Sequence, residues 1–185
     1  MGWLVASVVA VVLAVLYLSW TAGRLDRLHA RVDAAWAALD AQLVRRAAVA
    51  AELAAHPLVV PGDRELADRL AQAAHTAYAA TLHEREAAEN ALGKALRCVV
   101  GGPGARLVDD PAEARLLDDL GNAVAKVALA RRFYNGAVRD TRTMRRHRLV
   151  RWFRLAGQAP WPTFFEIDDT LDELAKLTDD GRAVS

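Results

Sequence analysis

The chain begins with an uninterrupted apolar run and then changes to a spacing of three and four between apolar positions. From Gly2 to Ala22 it reads GWLVASVVAVVLAVLYLSWTA, 21 residues of which ten are Leu or Val and none is ionisable. As an α-helix this run would extend about 31 Å at ~1.5 Å per residue, enough to cross a hydrocarbon core of ~30 Å. Trp3 at one end and Tyr17 and Trp20 at the other stand where amphipathic rings favour the headgroup interface. A cleaved signal peptide would need a basic leader, a shorter apolar core and a small-x-small site. Here no Lys or Arg precedes the run, and Thr21-Ala22-Gly23 is a poor cleavage site. The pattern therefore predicts an uncleaved transmembrane anchor over residues 1–23. Arg24, Arg27 and Arg31 follow it directly, so the positive-inside rule predicts an N-terminus outside the cell membrane and a cytoplasmic remainder.

Beyond the anchor, Leu25, Leu28, Val32, Ala35, Trp36, Leu39, Leu43, Ala47, Ala50 and Ala54 mark one face of a helix that continues the span, with Gly23 as its one joint. His56-Pro57 and Pro61-Gly62-Asp63 predict a loop, because proline biases its predecessor away from helix and Asp63 is a good N-cap. Leu66, Leu70, Ala73, Ala77, Leu82, Ala88, Leu92 and Ala95 predict a second helix running to about Val100. Gly101-Gly102-Pro103-Gly104 reads as a turn. It follows a helical pattern and lacks the Gly-Lys-Ser/Thr ending of a phosphate loop.

Asp109 or Asp110 can cap a third helix with Pro111 in its first turn, carried through Leu116, Leu120, Val124, Val127, Ala130, Tyr134, Ala137, Thr141 and Met144. A proline-bracketed aromatic stretch, Pro160 to Phe165, precedes a short last helix from Asp168 to Leu177 and a frayed tail over 179–185. No strand pattern competes. The prediction is an all-α fold: a transmembrane helix, then an antiparallel up-and-down bundle of three long helices and one short C-terminal helix over 24–178. With three long helices, the end of the third would lie roughly 45–55 Å from the bilayer at ~1.5 Å per residue.

Composition changes this picture in two places. There are 39 alanines, and 21 of the 24 basic residues are Arg, which favours helix over sheet. The formal net charge of +1 provides no global field for nucleic acid, yet it hides a strong local asymmetry. Arg131, Arg132, Arg139, Arg142, Arg145, Arg146, Arg148, Arg151 and Arg154 face only Asp140 within residues 131–154. On a helical projection Leu149, Val150, Trp152 and Phe153 share one arc opposite Arg148, Arg151 and Arg154, the pattern of an interfacial helix. Glu166, Asp168, Asp169, Asp172, Glu173, Asp179 and Asp180 make the C-terminal segment acidic, so internal pairing with these arginines is the favoured expectation. A protein partner and anionic lipid rank below it, and nucleic acid last.

Candidate chemistry is sparse. Cys98 alone supplies no disulfide and no cysteine zinc site. His29, His56, His75, His83 and His147 are scattered, and the pair His83 and Glu86 has no second Glu-x-x-His to complete a bundle metal site. Serine is nearly missing after the anchor, so no hydroxyl nucleophile pairs with a histidine. The expectation is a protein without catalytic residues, cofactor or metal.

Three stretches in order resemble the LemA family of bacterial membrane proteins: Val32 to Arg46 (VDAAWAALDAQLVRR), Ala130 to Asp140 (ARRFYNGAVRD) and Phe164 to Asp168 (FFEID). The middle helix and the loop from Pro57 to Gly62 depart from the family pattern, and Gly136 stands where an acidic residue is common. The resemblance is to a divergent member, and the alanine and arginine bias fits a high-GC bacterium such as an actinobacterium. It implies a membrane-anchored antiparallel bundle with no settled biochemical activity. On these motifs, Trp36, Phe133 and Tyr134 would fill space between alanine-lined faces. Asp40, Gln42, Arg45, Arg46, Arg131, Arg132, Asn135 and Asp140 would form a polar network or patch, with Phe164, Phe165 and Glu166 closing the motif set. The function expected is a scaffold presenting its bundle to a protein partner or to copies of itself. The alternative is a membrane-coupled signalling or proteostasis accessory protein acting through the continuous first helix.

Overall fold

The computed structural model describes residues 1–56, 63–100, 111–153, 157 and 159–168, with Glu113 described through its backbone alone. The expected loop from Pro57 to Gly62, the glycine turn, the Asp109 or Asp110 cap, Arg154, and the last helix and tail beyond Asp168 lie outside the described residues. The described elements are all helices: α1 (Gly2–Ala55), α2 (Arg64–Ala79), α3 (Arg85–Val100), α4 (Pro111–Arg145) and α5 (Arg148–Trp152). The fold is an all-α helical bundle behind a long apolar N-terminal helix. Among the described residues there is no strand.

α1 passes through Gly23 unbroken for 54 residues. A Cβ at Gly23 would meet only the Arg27 guanidinium, at 3.7 Å, so this glycine serves no close backbone approach. Residues 2–17 are exposed throughout, and this end of α1 is long and apolar enough to cross a membrane. Leu25, Val32, Leu39, Leu43, Ala47 and Ala50 are buried, in the spacing that the sequence predicted for one helical face.

The expected second helix is interrupted, which corrects the reading of one helix to Val100. α2 starts where Asp63 accepts a hydrogen bond from the Leu66 N–H at 2.9 Å, an N-cap anticipated in the sequence. It ends at Ala80, whose ψ of 134° leaves the helical region. Thr81 and Glu84 then close a turn at the spacing of a capping box, the Glu84 N–H donating to the Thr81 carbonyl at 3.0 Å. The Thr81 hydroxyl and N–H both donate to Glu84 Oε2, at 2.7 and 3.4 Å, and start the turn that leads into α3. These two bonds hold the Glu84 carboxyl below its ordinary range. α3 folds back on α2 as a hairpin, with Arg85 donating to the Ala77 carbonyl at 2.7 Å.

The chain packs as two compact units, and both α1 and α4 contribute to each. The first unit joins residues 1–36 with 133–164, and the second joins 37–132 with 165–185. In the second, Ala47, Ala50 and Leu53 from α1, Leu70 and Ala74 from α2, Leu92 and Leu96 from α3, and Leu120 and Val124 from α4 form one buried cluster. The alanines let helices approach closely, and the leucines supply most of the buried apolar area. In the first unit the buried residues are Thr21, Leu25 and Val32 on α1, Tyr134, Ala137, Val138 and Thr141 on α4, and Val150 on α5.

Candidate functional site

Within the first unit, α4 runs antiparallel to α1 and approaches the part that follows its apolar run. Trp36 meets Tyr134 edge-on, with ring centroids 5.4 Å apart and planes at 62°. Seven residues further along α4, the buried Thr141 hydroxyl lies 3.4 Å from the Leu28 carbonyl and donates at 2.9 Å to Ala137. Arg31 and Asp140 pair at 3.5 Å, but both are more than half exposed, so the pair contributes little stability. Arg145 Nη1 comes within 3.4 Å of His29 Nε2. The end of α4 is therefore beside residues 28–29 of α1, one or two turns above the apolar run. This corrects the expectation of a third long helix ending far from the apolar run: the break after α2 adds a chain reversal and brings α4 back toward that run.

After Gly157 the backbone returns along α4, held by arginines in an unexpected way. Arg145 donates to the Pro160 carbonyl at 2.7 Å and to the Ala159 carbonyl at 3.0 Å. Arg142 Nε donates to the Pro162 carbonyl at 2.7 Å, and the Tyr134 hydroxyl donates to Thr163 at 2.8 Å. The Arg142 guanidinium stacks 4.5 Å from the Phe164 ring centroid, and that of Arg145 lies 4.8 Å from Trp161. Among the described residues, carbonyl dipoles and ring faces thus engage Arg142 and Arg145, while Asp169, Asp172, Glu173, Asp179 and Asp180, carboxylates expected to pair with the arginines, lie outside the described residues.

The second unit contains a buried ionic cluster. Arg46, on α1, pairs with Glu89, on α3, and their side chains are 3% and 0% exposed. Beside them Arg85 donates to Asp40 Oδ1 at 2.6 Å. Among the described residues, Gln42 Oε1, Arg46 Nε, Arg85 Nε and Glu89 Oε1 are buried without a partner, so the cluster is not fully satisfied. Burial pushes the Glu89 carboxyl above its ordinary range, opposed first by the Arg46 guanidinium and then by Arg85. Asp40 and Arg46 were in the expected polar network; Arg85 and Glu89 were not. Their i, i+4 spacing on an apolar helix face was the available signal.

Neither a family model nor a curated protein matches this sequence.

The remaining motif residues separate by environment. In the second unit, the Glu166 and Asp168 N–H groups donate to Glu86 Oε1 at 2.9 Å and Asn90 Oδ1 at 2.8 Å. Asp168 also pairs with Arg97 at 3.4 Å, and Arg131 donates to the Ile167 carbonyl at 3.1 Å. Phe165 is buried, and Gln42 and Asn135 are half-buried. Arg45, Arg132, Phe133 and Arg139 are exposed, so Phe133 does not fill interhelical space as Trp36 and Tyr134 do. Along the apolar run and just after it, Arg24 stacks 5.6 Å from the Trp20 ring centroid, Tyr17 and Trp20 lie 6.4 Å apart, and Trp3, Trp20, Arg24 and Arg27 are exposed.

α5 and its flanks are the most exposed part of the arginine stretch. Arg146, Arg148, Arg151, Trp152 and Phe153 all face outward, and Val150 alone is buried. Arg148, Arg151 and Trp152 line a shallow open depression of ≈ 330 Å³. Among the described residues, neither Arg148 nor Arg151 has an acidic partner.

Proposed function

We propose that this protein is a non-enzymatic, single-pass scaffold of the cell membrane, with its N-terminus outside and its helical bundle in the cytoplasm, engaging a protein partner or further copies of itself. The observation that carries the reading is the wholly exposed, uncharged face of α1 over residues 2–17, followed immediately by Arg24 and Arg27. Such a surface is costly in water and favourable in a bilayer, and the arginines favour the cytoplasmic side. Engagement of Arg46, Arg85, Glu89 and Asp40 with one another supports a structural rather than catalytic use of the buried charges. The three LemA-like stretches fit the same proposal, as those of a divergent member of that family.

Fusions at the C-terminus test the orientation. A fluorescent protein should light up and an alkaline phosphatase should stay inactive; phosphatase activity would overturn the cytoplasmic placement. Proximity labelling from the C-terminus in the native cell tests the scaffold, and the absence of any enriched neighbour counts against it.

The unbroken passage of α1 through Gly23 favours one second reading, in which the helix transmits a signal from the bilayer to the bundle. A flexible linker inserted at Gly23 should leave partner enrichment intact for a scaffold and abolish it for a transmitter.

A further inference from the structure

We propose that α5 is a second membrane contact: a cationic, aromatic surface that docks on anionic phospholipid headgroups of the leaflet from which the charged part of α1 emerges. The inference rests on the reading of α1 as a membrane span, and it concerns a surface to which that reading assigns no role.

The chain's path places α5 directly after the end of α4 that lies beside residues 28–29 of α1, within two turns of the apolar run. From Tyr134 to Thr141, α4 descends along α1 from Trp36 to Leu28, so each residue gained on α4 is about one residue lost on α1. At Arg145 the guanidinium has reached His29. The chain leaves α4 there and returns to the same side chain at Ala159 and Pro160, after which Pro162 and Thr163 climb back along α4 to Arg142 and Tyr134. Residues 146–153 therefore leave from and return to the Arg145 end of α4, the end that lies beside Leu28 and His29 of α1. Continued at the same register, α5 would come level with about residues 17–22 of α1, where Tyr17 and Trp20 mark the end of the apolar run. Thr21, the buried side chain of α1 at this level, belongs to the same unit as the buried Val150.

The chemistry of α5 suits that level. Trp152 is 81% exposed and Phe153 50%, a cost in water that an interface relieves, and their rings lie 5.6 Å apart as one apolar surface. Arg148 and Arg151 flank Trp152 around the open depression, a fork geometry suited to a phosphodiester. No acidic residue occurs between Thr141 and Phe153 to oppose an anionic surface. Trp20 and Arg24 repeat the combination of ring and guanidinium on α1, so both elements would meet the headgroups with the same pair of side-chain types.

The test is amide hydrogen exchange on the full chain in nanodiscs, either of phosphatidylcholine alone or of equal parts phosphatidylcholine and phosphatidylglycerol. We expect residues 148–153 to exchange more slowly in the anionic discs, and the effect to be lost in R148E/R151E. Two arginines near an anionic surface shift a docking equilibrium by roughly 30-fold. Both arginines are exposed, and an unchanged exchange pattern elsewhere verifies that the variant folds. If residues 5–17 are protected in both discs while 148–153 exchange identically in both, the docking inference falls and the span stands. If 5–17 exchange freely, the span falls and the inference with it. Slow exchange of 148–153 in both discs that survives charge reversal also overturns the inference, since protein packing then protects the segment.

Discussion

Arg46→Met removes one half of the buried pair between α1 and α3 and leaves Glu89 in place. Methionine keeps an unbranched side chain at the site, so little volume is lost and the change is electrostatic first. With 3% and 0% exposure the two side chains have no water to replace the missing partner. Breaking such a pair from one side costs about 3–5 kcal/mol. The lower end applies here, about 3 kcal/mol, because Arg85 still faces Glu89 and protonation of the carboxyl offers a partial escape. At roughly 2–4 °C per kcal/mol for a domain of this size, the melting temperature should fall by about 6–12 °C. Removing both halves, as R46M/E89L, leaves an apolar contact and should recover to within about 1 kcal/mol of the natural protein. The assay is thermal unfolding of the full chain in detergent micelles, followed by helical circular dichroism. The double-mutant cycle should show a coupling of at least ~2 kcal/mol. A melting point for R46M within ~1 °C of the natural protein, or a double variant no better than the single, would refute the argument that this pair is desolvated.

Glu89→Gln separates charge from shape. The folded state raises the Glu89 carboxyl above its ordinary 4.5, so at intermediate pH the native state holds a proton that the unfolded chain releases. Its contribution to stability is complete below 4.5 and is lost as pH climbs through the raised value. The natural protein should thus lose stability relative to E89Q as pH rises from about 4 toward 7, measured as the difference in melting temperature; the opposite slope would sink the assignment. Arg142→Lys keeps the charge but loses the planar stack on Phe164 and the Nε bond to Pro162. Limited proteolysis should cut between Gly157 and Phe164 several times faster in this variant, and an unchanged rate would show that the segment is held by other contacts.

How much of this could be read in the sequence depended on the range of the interaction. The apolar run, the buried stripe from Leu25 to Ala50 and the Asp63 cap follow from local periodicity and side-chain chemistry, and all are visible in the string of residues. The break between α2 and α3 was also local: Thr81-x-x-Glu84 is a capping-box signature, but the alanine-rich flanks continue helical spacing across it and masked the stop. That one omission reversed the expected direction of α4. The contacts of Arg142 and Arg145 were not legible, because charge counting finds carboxylates as partners and has no means of finding a backbone carbonyl or a ring face brought close by the return of residues 159–164. Arg46 could be suspected of pairing from its place on a mostly apolar face. Its partner, Glu89, is 43 residues away and is specified only by how α3 packs.

The continuity of α1 has a mechanical corollary. A helix of 54 residues, about 81 Å long at ~1.5 Å per residue, without proline or a positive-φ glycine bends only gently. When its apolar run is longer than the local hydrocarbon thickness, the helix relieves the mismatch by tilting. An unbroken rod carries that tilt straight into the Leu25–Val32 stripe, since Gly23 gives it no place to absorb the angle. In the membrane-spanning role proposed above, membrane thickness would then be expressed as the inclination of everything packed against that stripe, and moving the chain between bilayers of different acyl length would change its posture without any ligand.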